Sequence, residues 1–274
     1  MKHYIPILSI AGSDCSGGAG IQADLKTISA LGGYAATAIT AITVQNTCGV
    51  REIYPIPADI VKGQIAAVME DIRPQAVKIG MVNDTAVIRA IVESIDIYHP
   101  KCVVFDPVMV STSGHKLIED DAIRLITSEL MPRADLITPN LKEAEVLCHG
   151  NIRTTDDMKQ AATRILQLGS RAVLLKGGHL EGEQMVDILL MAGHPAPYIY
   201  TSPKIESKNT HGTGCTLSSA IATLLAQGIP MPEAVGKAKE YVRQGIHFGK
   251  DVEIGAGHGP LNHFFNPISM KIRE

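Results

Sequence analysis

No stretch of this 274-residue sequence approaches the roughly 20 consecutive apolar residues that a helix needs to cross a bilayer. A signal peptide is not expected either, because Met1-Lys2-His3-Tyr4 leads directly into a short strand-like run. The expectation is a cytoplasmic protein with no membrane partner. There is no electropositive footprint: 25 Lys and Arg stand against 28 Asp and Glu, for a formal net charge of -3, so nucleic acid is not an expected partner. The five cysteines, Cys15, Cys48, Cys102, Cys148 and Cys215, form no C-x-x-C pair and no disulfide framework, and are expected to be reduced thiols. Cys148-His149 and the pair His211 and Cys215 lack a second ligand pair at zinc spacing, which argues against a structural metal. No Pro/Ser-rich linker, composition shift or internal repeat divides the chain. One domain over 1–274 is expected, since single α/β domains routinely run to about 250 residues.

What is present is a regular alternation. With 45% hydrophobic and 19% charged residues, the chain has an ordinary globular balance. Short β-branched runs take turns with longer amphipathic stretches, the pattern of βαβ units and of a mostly parallel sheet covered by helices on both faces. Strands are expected at 5–11, 35–44, 76–79, 102–105, 136–138 and 172–175, and helices at 19–31, 58–71, 84–96, 120–130, 141–147 and 156–168. The runs at 185–191 and 198–200 flank Ala-Gly-His-Pro and predict an antiparallel hairpin. Helices at 216–227 and 232–248 follow. In an open parallel sheet, ligands bind beyond the carboxyl ends of the strands, so the chemistry is expected there.

Two glycine-rich loops occupy such positions. The first, Gly12-Ser13-Asp14-Cys15-Ser16-Gly17-Gly18-Ala19-Gly20, follows the first strand and opens a helix; its glycines allow backbone N–H groups to approach a ligand. Gly18 to Ala23 also fits G-x-G-x-x-A, but the acid that a dinucleotide fold needs about 20 residues further on is missing, which argues against a nicotinamide oxidoreductase. The second loop, Thr210-His211-Gly212-Thr213-Gly214-Cys215, precedes an amphipathic helix, where freed N–H groups and the helix dipole favour an anion such as phosphate. No G-x-x-x-x-G-K-[ST] string occurs, which excludes a P-loop enzyme. Cys215 falls in the first turn, where a thiol pKa tends to drop, so it is either a base or a packing residue.

The other strand ends carry polar groups. Asp106 follows one strand and precedes Pro107; it is a turn carboxylate or a ligand group. Asn140 and Glu143, three apart, share one helix face and either approach Mg²⁺ through water or form a cap. Lys176 ends an apolar strand and needs an anionic partner, for which a phosphate is a candidate. Gln45 offers a donor and an acceptor in one plane, which suits a heteroaromatic ring edge as well as a turn amide.

Seven blocks in order, Ala11-Gly-Ser-Asp-Cys-Ser-Gly-Gly-Ala-Gly-Ile-Gln-Ala-Asp-Leu-Lys-Thr27, Gln45-Asn-Thr47, Lys78-Ile-Gly-Met81, Asp106-Pro-Val-Met109, Ile137-Thr-Pro-Asn-Leu141, Leu175-Lys-Gly-Gly-His179 and Lys208-Asn-Thr-His-Gly-Thr-Gly-Cys-Thr216, resemble the hydroxymethylpyrimidine/phosphomethylpyrimidine kinase family over nearly the whole chain. The resemblance implies a ribokinase-like three-layer α/β/α sandwich, ATP with Mg²⁺, and a homodimer. It also implies phosphorylation of 4-amino-5-hydroxymethyl-2-methylpyrimidine and then of its monophosphate in thiamine biosynthesis. By position it implies ring contacts from Gly12, Asp24, Gln45 and Met81 with Val108 nearby. It places Asp106, Asn140, Glu143 and Lys176 on the nucleotide side, with Mg²⁺ near Glu143 through water or phosphate. Gly212, Thr213 and Gly214 become the anion hole. Many ribokinase relatives have an aspartate base after those glycines, where this chain has Cys215. A pyridoxal kinase of the same fold is the nearest rival, with Gln45-Asn46-Thr47 as the discriminator; a non-catalytic pyrimidine-binding protein is the rival from another class.

Overall fold

The computed structural model describes residues 2–109, 118–178 and 183–273; His179, in one of the blocks quoted above, lies outside them. In chain order the elements are β1 (His3–Tyr4), β2 (Pro6–Asp14), α1 (Gly20–Ala30), β3 (Tyr34–Asn46), β4 (Gly49–Pro55), α2 (Ala58–Asp71), β5 (Ala76–Ile79), α3 (Thr85–Tyr98) and β6 (Val103–Phe105). Then come α4 (Asp120–Leu125), which continues through a π turn at Ile126–Leu130 and a 3₁₀ turn at Met131–Arg133, β7 (Leu136–Ile137), α5 (Leu141–Cys148) and α6 (Thr155–Leu166). The last are β8 (Ala172–Lys176), β9 (Gln184–Met191), β10 (Tyr198–Pro203), α7 (Thr213–Ala226), α8 (Met231–Gly249) and β11 (Ile272–Arg273).

One large sheet has the order β10-β9-β8-β7-β6-β5-β2-β3-β4. Its centre, from β8 to β3, is parallel, while β4, β9 and β10 form antiparallel pairings at the two edges. Alternate strand residues feed two cores, as period-2 side chains must. Leu8, Val77, Val103, Phe105, Ile137, Val173 and Leu175 pack against α2, α3, α5 and α6. Ile7, Ala76, Val104, Leu136, Ala172 and Leu174 pack against α1, α7 and α8. These residues read as continuous apolar runs because both faces of a parallel sheet are covered.

Helix α2 and strand β5 match the expected 58–71 and 76–79 residue for residue, and the 185–200 region forms the expected hairpin. Three expectations are corrected. A strand at 49–55 was not expected, because β4 is an edge strand whose residues are mostly exposed and include Arg51 and Glu52, so it shows no apolar alternation. The expected helix at 120–130 keeps α geometry only to Leu125. Helix α7 starts at Thr213, three residues before the expected 216, with Gly212 as its cap at φ 77°; the glycine loop is therefore part of the first turn.

Because β2 has β3 on one side and β5 on the other, the chain leaves β2 in one direction and returns in the opposite one. A crevice opens at such a switch. Asp14, Gln45, Met81, Asp106, Asn140 and Lys176 all lie at or just past the carboxyl ends of neighbouring parallel strands along this edge.

Candidate active site

At the crevice the two glycine loops interlock. Gly212 meets the carbonyl of Gly18 where a Cβ would sit, Gly18 in turn lies against the His211 ring, and Gly20, at φ 56°, lies against the Gly12 carbonyl. The positive φ at Gly20 and Gly212 is a conformation that side-chain-bearing residues rarely adopt. In the first turn of α7, Thr213 N–H bonds to Thr210 O at 3.3 Å and Thr216 N–H to Gly212 O at 2.9 Å. The Gly214 and Cys215 N–H groups lie between them, at the positive end of the helix.

Lys176 Nζ lies 2.9 Å from Asp106 Oδ1, and Thr138 Oγ1 donates to the same oxygen at 2.9 Å. A Cβ on Gly214 would lie 3.4 Å from both Asp106 Oδ2 and Lys176 Nζ, so this ion pair abuts the helix N-terminus. The anionic partner expected for Lys176 is supplied by the protein. Burial would raise the Asp106 carboxyl, but Lys176, then Lys78, hold it below the ordinary range. Burial would lower the Lys176 ammonium, but Asp106 and Glu143 hold it above. The two therefore face the loop as a carboxylate and an ammonium.

Asn140 and Glu143 form a capping box on α5: Glu143 N–H donates to Asn140 Oδ1 at 3.0 Å, and Asn140 N–H to Glu143 Oε2 at 2.8 Å. Of the two readings the sequence left open, the cap is present in the structure. Burial pushes the Glu143 carboxyl up to about 7, with Lys176 opposing and Asp106 adding to the rise. Among the described residues no group of three or more His, Cys, Asp or Glu forms a metal cage. Both the Asp106 and the Glu143 carboxyl groups already accept protein hydrogen bonds, a donor set that fits a Mg²⁺ brought in on nucleotide phosphates, with its own waters, better than a resident ion.

The ring-side residues are gathered only in part. Met81 Cε lies 2.6 Å from where a Cβ on Gly12 would be, and Thr40 Oγ1 fixes the Met81 carbonyl at 2.9 Å, so Gly12 and Met81 lie side by side. Val108 is half-buried in the turn after Asp106. Gln45 Oε1 is placed 3.2 Å from Thr43 Oγ1, and Gln45 Nε2 3.2 Å from His211 Nε2. Asp24 is different. Its residue has 0% exposure, Lys78 Nζ reaches its two oxygens at 2.9 and 2.8 Å, and Ser9 and Ser219 donate at 2.5 and 2.7 Å. The expected ring contact is corrected to a tie between α1, β2, β5 and α7.

For Cys215 the sequence left a base and a packing residue open. Burial pushes its thiol up to about 11; Lys78 and the Gly20 N–H oppose the rise, while Asp24 and Asp106 add to it. Desolvation outweighs the helix N-terminus, so the group is a neutral thiol at physiological pH. Cys215→Ser is accordingly expected to keep kcat within about 10-fold and to leave the pH–rate profile between about pH 6 and 9 unmoved. A limb near neutrality that disappears in Cys215→Ser would restore the base.

Sequence reasoning did not single out Asp14 and Thr43. Asp14 Oδ2 lies 2.8 Å from His211 Nε2 and accepts from Ala19 N–H at 2.9 Å. Burial would raise this carboxyl, but hydrogen bonds from His211 and Ser16 bring it down to about 2. His211, which the sequence offers only as half of a metal spacing, thus joins the two loops. The segment around Gly257 to His263 docks onto the same place: His258 N–H bonds to Thr47 O at 2.9 Å, His211 N–H to Gly259 O at 3.1 Å, and Thr216 Oγ1 meets His263 Nε2 at 3.0 Å.

The family model for phosphomethylpyrimidine kinase matches residues 14–262. The chain belongs to the phosphomethylpyrimidine kinase family. It is 48% identical over 258 residues to the hydroxymethylpyrimidine/phosphomethylpyrimidine kinase of Rhizobium meliloti, covering 94% of this chain and 96% of that protein. It is 48% identical over 267 residues to the thiamine biosynthesis bifunctional protein ThiED of Geobacter sulfurreducens, covering 97% of this chain and spanning about half, 54%, of that longer protein. Among solved structures, the pyridoxal kinase from Staphylococcus aureus in complex with AMP-PCP and pyridoxal superimposes with a TM-score of 0.88 at 32% identity, covering 99% of this chain and 98% of that one. The fold is ribokinase-like, and the enzyme is a phosphotransferase.

Proposed function

We propose that this kinase transfers the γ-phosphoryl group of ATP to the hydroxymethyl oxygen of the aminopyrimidine alcohol 4-amino-5-hydroxymethyl-2-methylpyrimidine, and then a second phosphoryl group to the monophosphate, in thiamine biosynthesis. The observation that carries the reading is the meeting of the Lys176–Asp106 pair with the N-terminus of α7 at Gly214. A cleft of about 500 Å³ lined by Lys208, Asn209 and residues 250–257 opens just ahead of the same glycine loop and has the size for a nucleoside.

In this reading Lys176 and the Gly214 and Cys215 N–H groups face the phosphoryl oxygens and stabilise the charge that spreads over them. Asp106 holds the Lys176 ammonium at the loop. Mg²⁺ arriving with the nucleotide would be reached through water by Glu143 and would neutralise phosphate charge. Gln45, Gly12 and Met81 hold the ring so that its hydroxymethyl oxygen lies in line with the phosphorus, and geometry supplies much of the rate. With Cys215 neutral, the hydroxyl proton leaves late, passing to an oxygen of the transferred phosphoryl group, which suits a loose transition state in which the nucleophile needs little activation. Two further proposals accompany this one. The exposed apolar side chains Ile42, Val44, Val50 and Tyr54 on β3 and β4 support a homodimer, which light scattering tests. Five free cysteines suit the reducing cytoplasm.

Pyridoxal phosphorylation is the second reading, favoured by the close superposition on a pyridoxal kinase. Steady-state assays with ATP and each substrate decide. The expected result is a kcat/KM at least about 10-fold higher for the aminopyrimidine, the factor that corresponds to roughly one net hydrogen bond. A preference for pyridoxal would replace the substrate, and no ATP consumption with either would revive a binding protein.

A further inference from the structure

Gln45 can present its amide in two orientations that differ by exchange of C=O and NH₂, and only one has the complementary hand for a given ring edge. Its two neighbours decide between them. Thr43 is buried, and its Oγ1 lies 2.9 Å from the carbonyl of Ser13 as well as 3.2 Å from one end of the amide. A hydroxyl has one proton and a backbone carbonyl only accepts. The Thr43 proton therefore goes to Ser13 O, and the hydroxyl turns a lone pair toward Gln45. The amide end at Thr43 must be the NH₂, so the Oε1 and Nε2 placed at Thr43 and His211 have to be exchanged.

The other neighbour gives the same answer from separate chemistry. His211 Nε2 lies 2.8 Å from the Asp14 carboxylate and 3.2 Å from the other end of the amide. A carboxylate requires a proton on the nitrogen that faces it, so Nε2 is an N–H and offers no lone pair to an amide NH₂. The end at His211 must be the C=O. We propose that Thr43 and the Asp14–His211 pair are positioning residues that lock the orientation of the Gln45 amide and thereby set which heteroaromatic edge the pocket accepts. With its NH₂ donating to Thr43 and the His211 Nε2 proton held by Asp14, the amide keeps one N–H and its carbonyl lone pairs in the same plane. That is the complement of a ring nitrogen acceptor next to an exocyclic amino donor, as on a 4-aminopyrimidine. A pyridine nitrogen flanked only by C–H or C-methyl matches half of it.

This inference rests on the proposed pyrimidine kinase activity, and the test separates the two. Thr43→Val keeps the shape and removes the hydroxyl; Thr43→Ser restores it. Each protein is assayed for kcat and for three Michaelis constants: ATP, the aminopyrimidine alcohol, and the analogue of that alcohol without its amino group. Thr43→Val is expected to raise the aminopyrimidine KM about 10-fold, to leave kcat and the ATP KM near wild type, and to narrow the preference over the des-amino analogue, while Thr43→Ser recovers wild-type values. Equal values for all three proteins, or a parallel loss for both substrates and ATP, would overturn the inference. A second measurement needs no variant: the Gln45 side-chain amide protons should show a nuclear Overhauser contact to the Thr43 methyl, and a contact to the His211 ring proton instead would overturn it. If wild type turns over no aminopyrimidine, it is the activity that is wrong, while the amide orientation is still read by the Overhauser contacts.

Discussion

Lys176→Met is expected to lower kcat by about 10²–10³-fold, the usual effect of removing one preorganised donor from developing charge. The loss has two parts that act together. The ammonium no longer faces the phosphoryl oxygens, and Asp106, only 2% exposed, loses the cation that balances it beside Gly214. An unpaired carboxylate there repels a nucleotide. The expected signature is a large fall in kcat with a rise in the ATP KM and little change in the pyrimidine KM. Adding Asp106→Asn to Lys176→Met should recover ATP affinity more than rate, because it removes the repulsion without restoring the cation. A kcat within about 3-fold of wild type, well short of a lost charge-stabilising contact, would remove Lys176 from the catalytic machinery.

The second large effect concerns stability. Lys78→Met should destabilise the protein by about 3–5 kcal/mol, the cost of leaving one member of a buried ion pair uncompensated. Both side chains have 0% exposure, so water cannot take over the charge on Asp24. Burial alone would lower the Lys78 ammonium, but Asp24 first, with Cys215 and Asp106 adding, holds it above an ordinary lysine, which keeps it charged. Urea unfolding, read as a change in midpoint at constant slope, is the measurement. The double variant Lys78→Met with Asp24→Asn should regain much of the loss, because an amide can still use the Ser9 and Ser219 hydroxyls. An unchanged midpoint for Lys78→Met would contradict the role assigned to this tie.

The contrast between Lys176 and Asp24 also shows what local pattern carries. Lys176, Asp106 and Gln45 were legible because a polar residue at the end of an apolar strand in a parallel sheet faces the ligand edge by topology. The covered sheet made β5 and α2 legible to the residue. Strand β4 was not, because an exposed edge strand obeys no apolar alternation. Asp24 was placed on the ring because its motif is local, whereas its partner Lys78 lies 54 residues away and converts it into a structural group. Asp14 and His211 are 197 residues apart, so nothing in either neighbourhood announces their pairing. Cys215 illustrates a competition of magnitudes: helix position favours the thiolate, burial disfavours it, and only coordinates show that burial is the larger.

The docking of residues 257–263 on Thr47 and His211 sets an order of events during synthesis. Every residue proposed to face the ring or the phosphates precedes Gly257 in the chain, yet the hydrogen bonds that hold the end of β3 to the start of α7 through this segment cannot form until it emerges. Contacts between residues this distant in sequence are slow to form. A nascent chain halted short of Gly257 would thus have the proposed phosphate-facing and ring-facing groups without the clasp that aligns them, and activity should appear abruptly once residues 257–263 emerge.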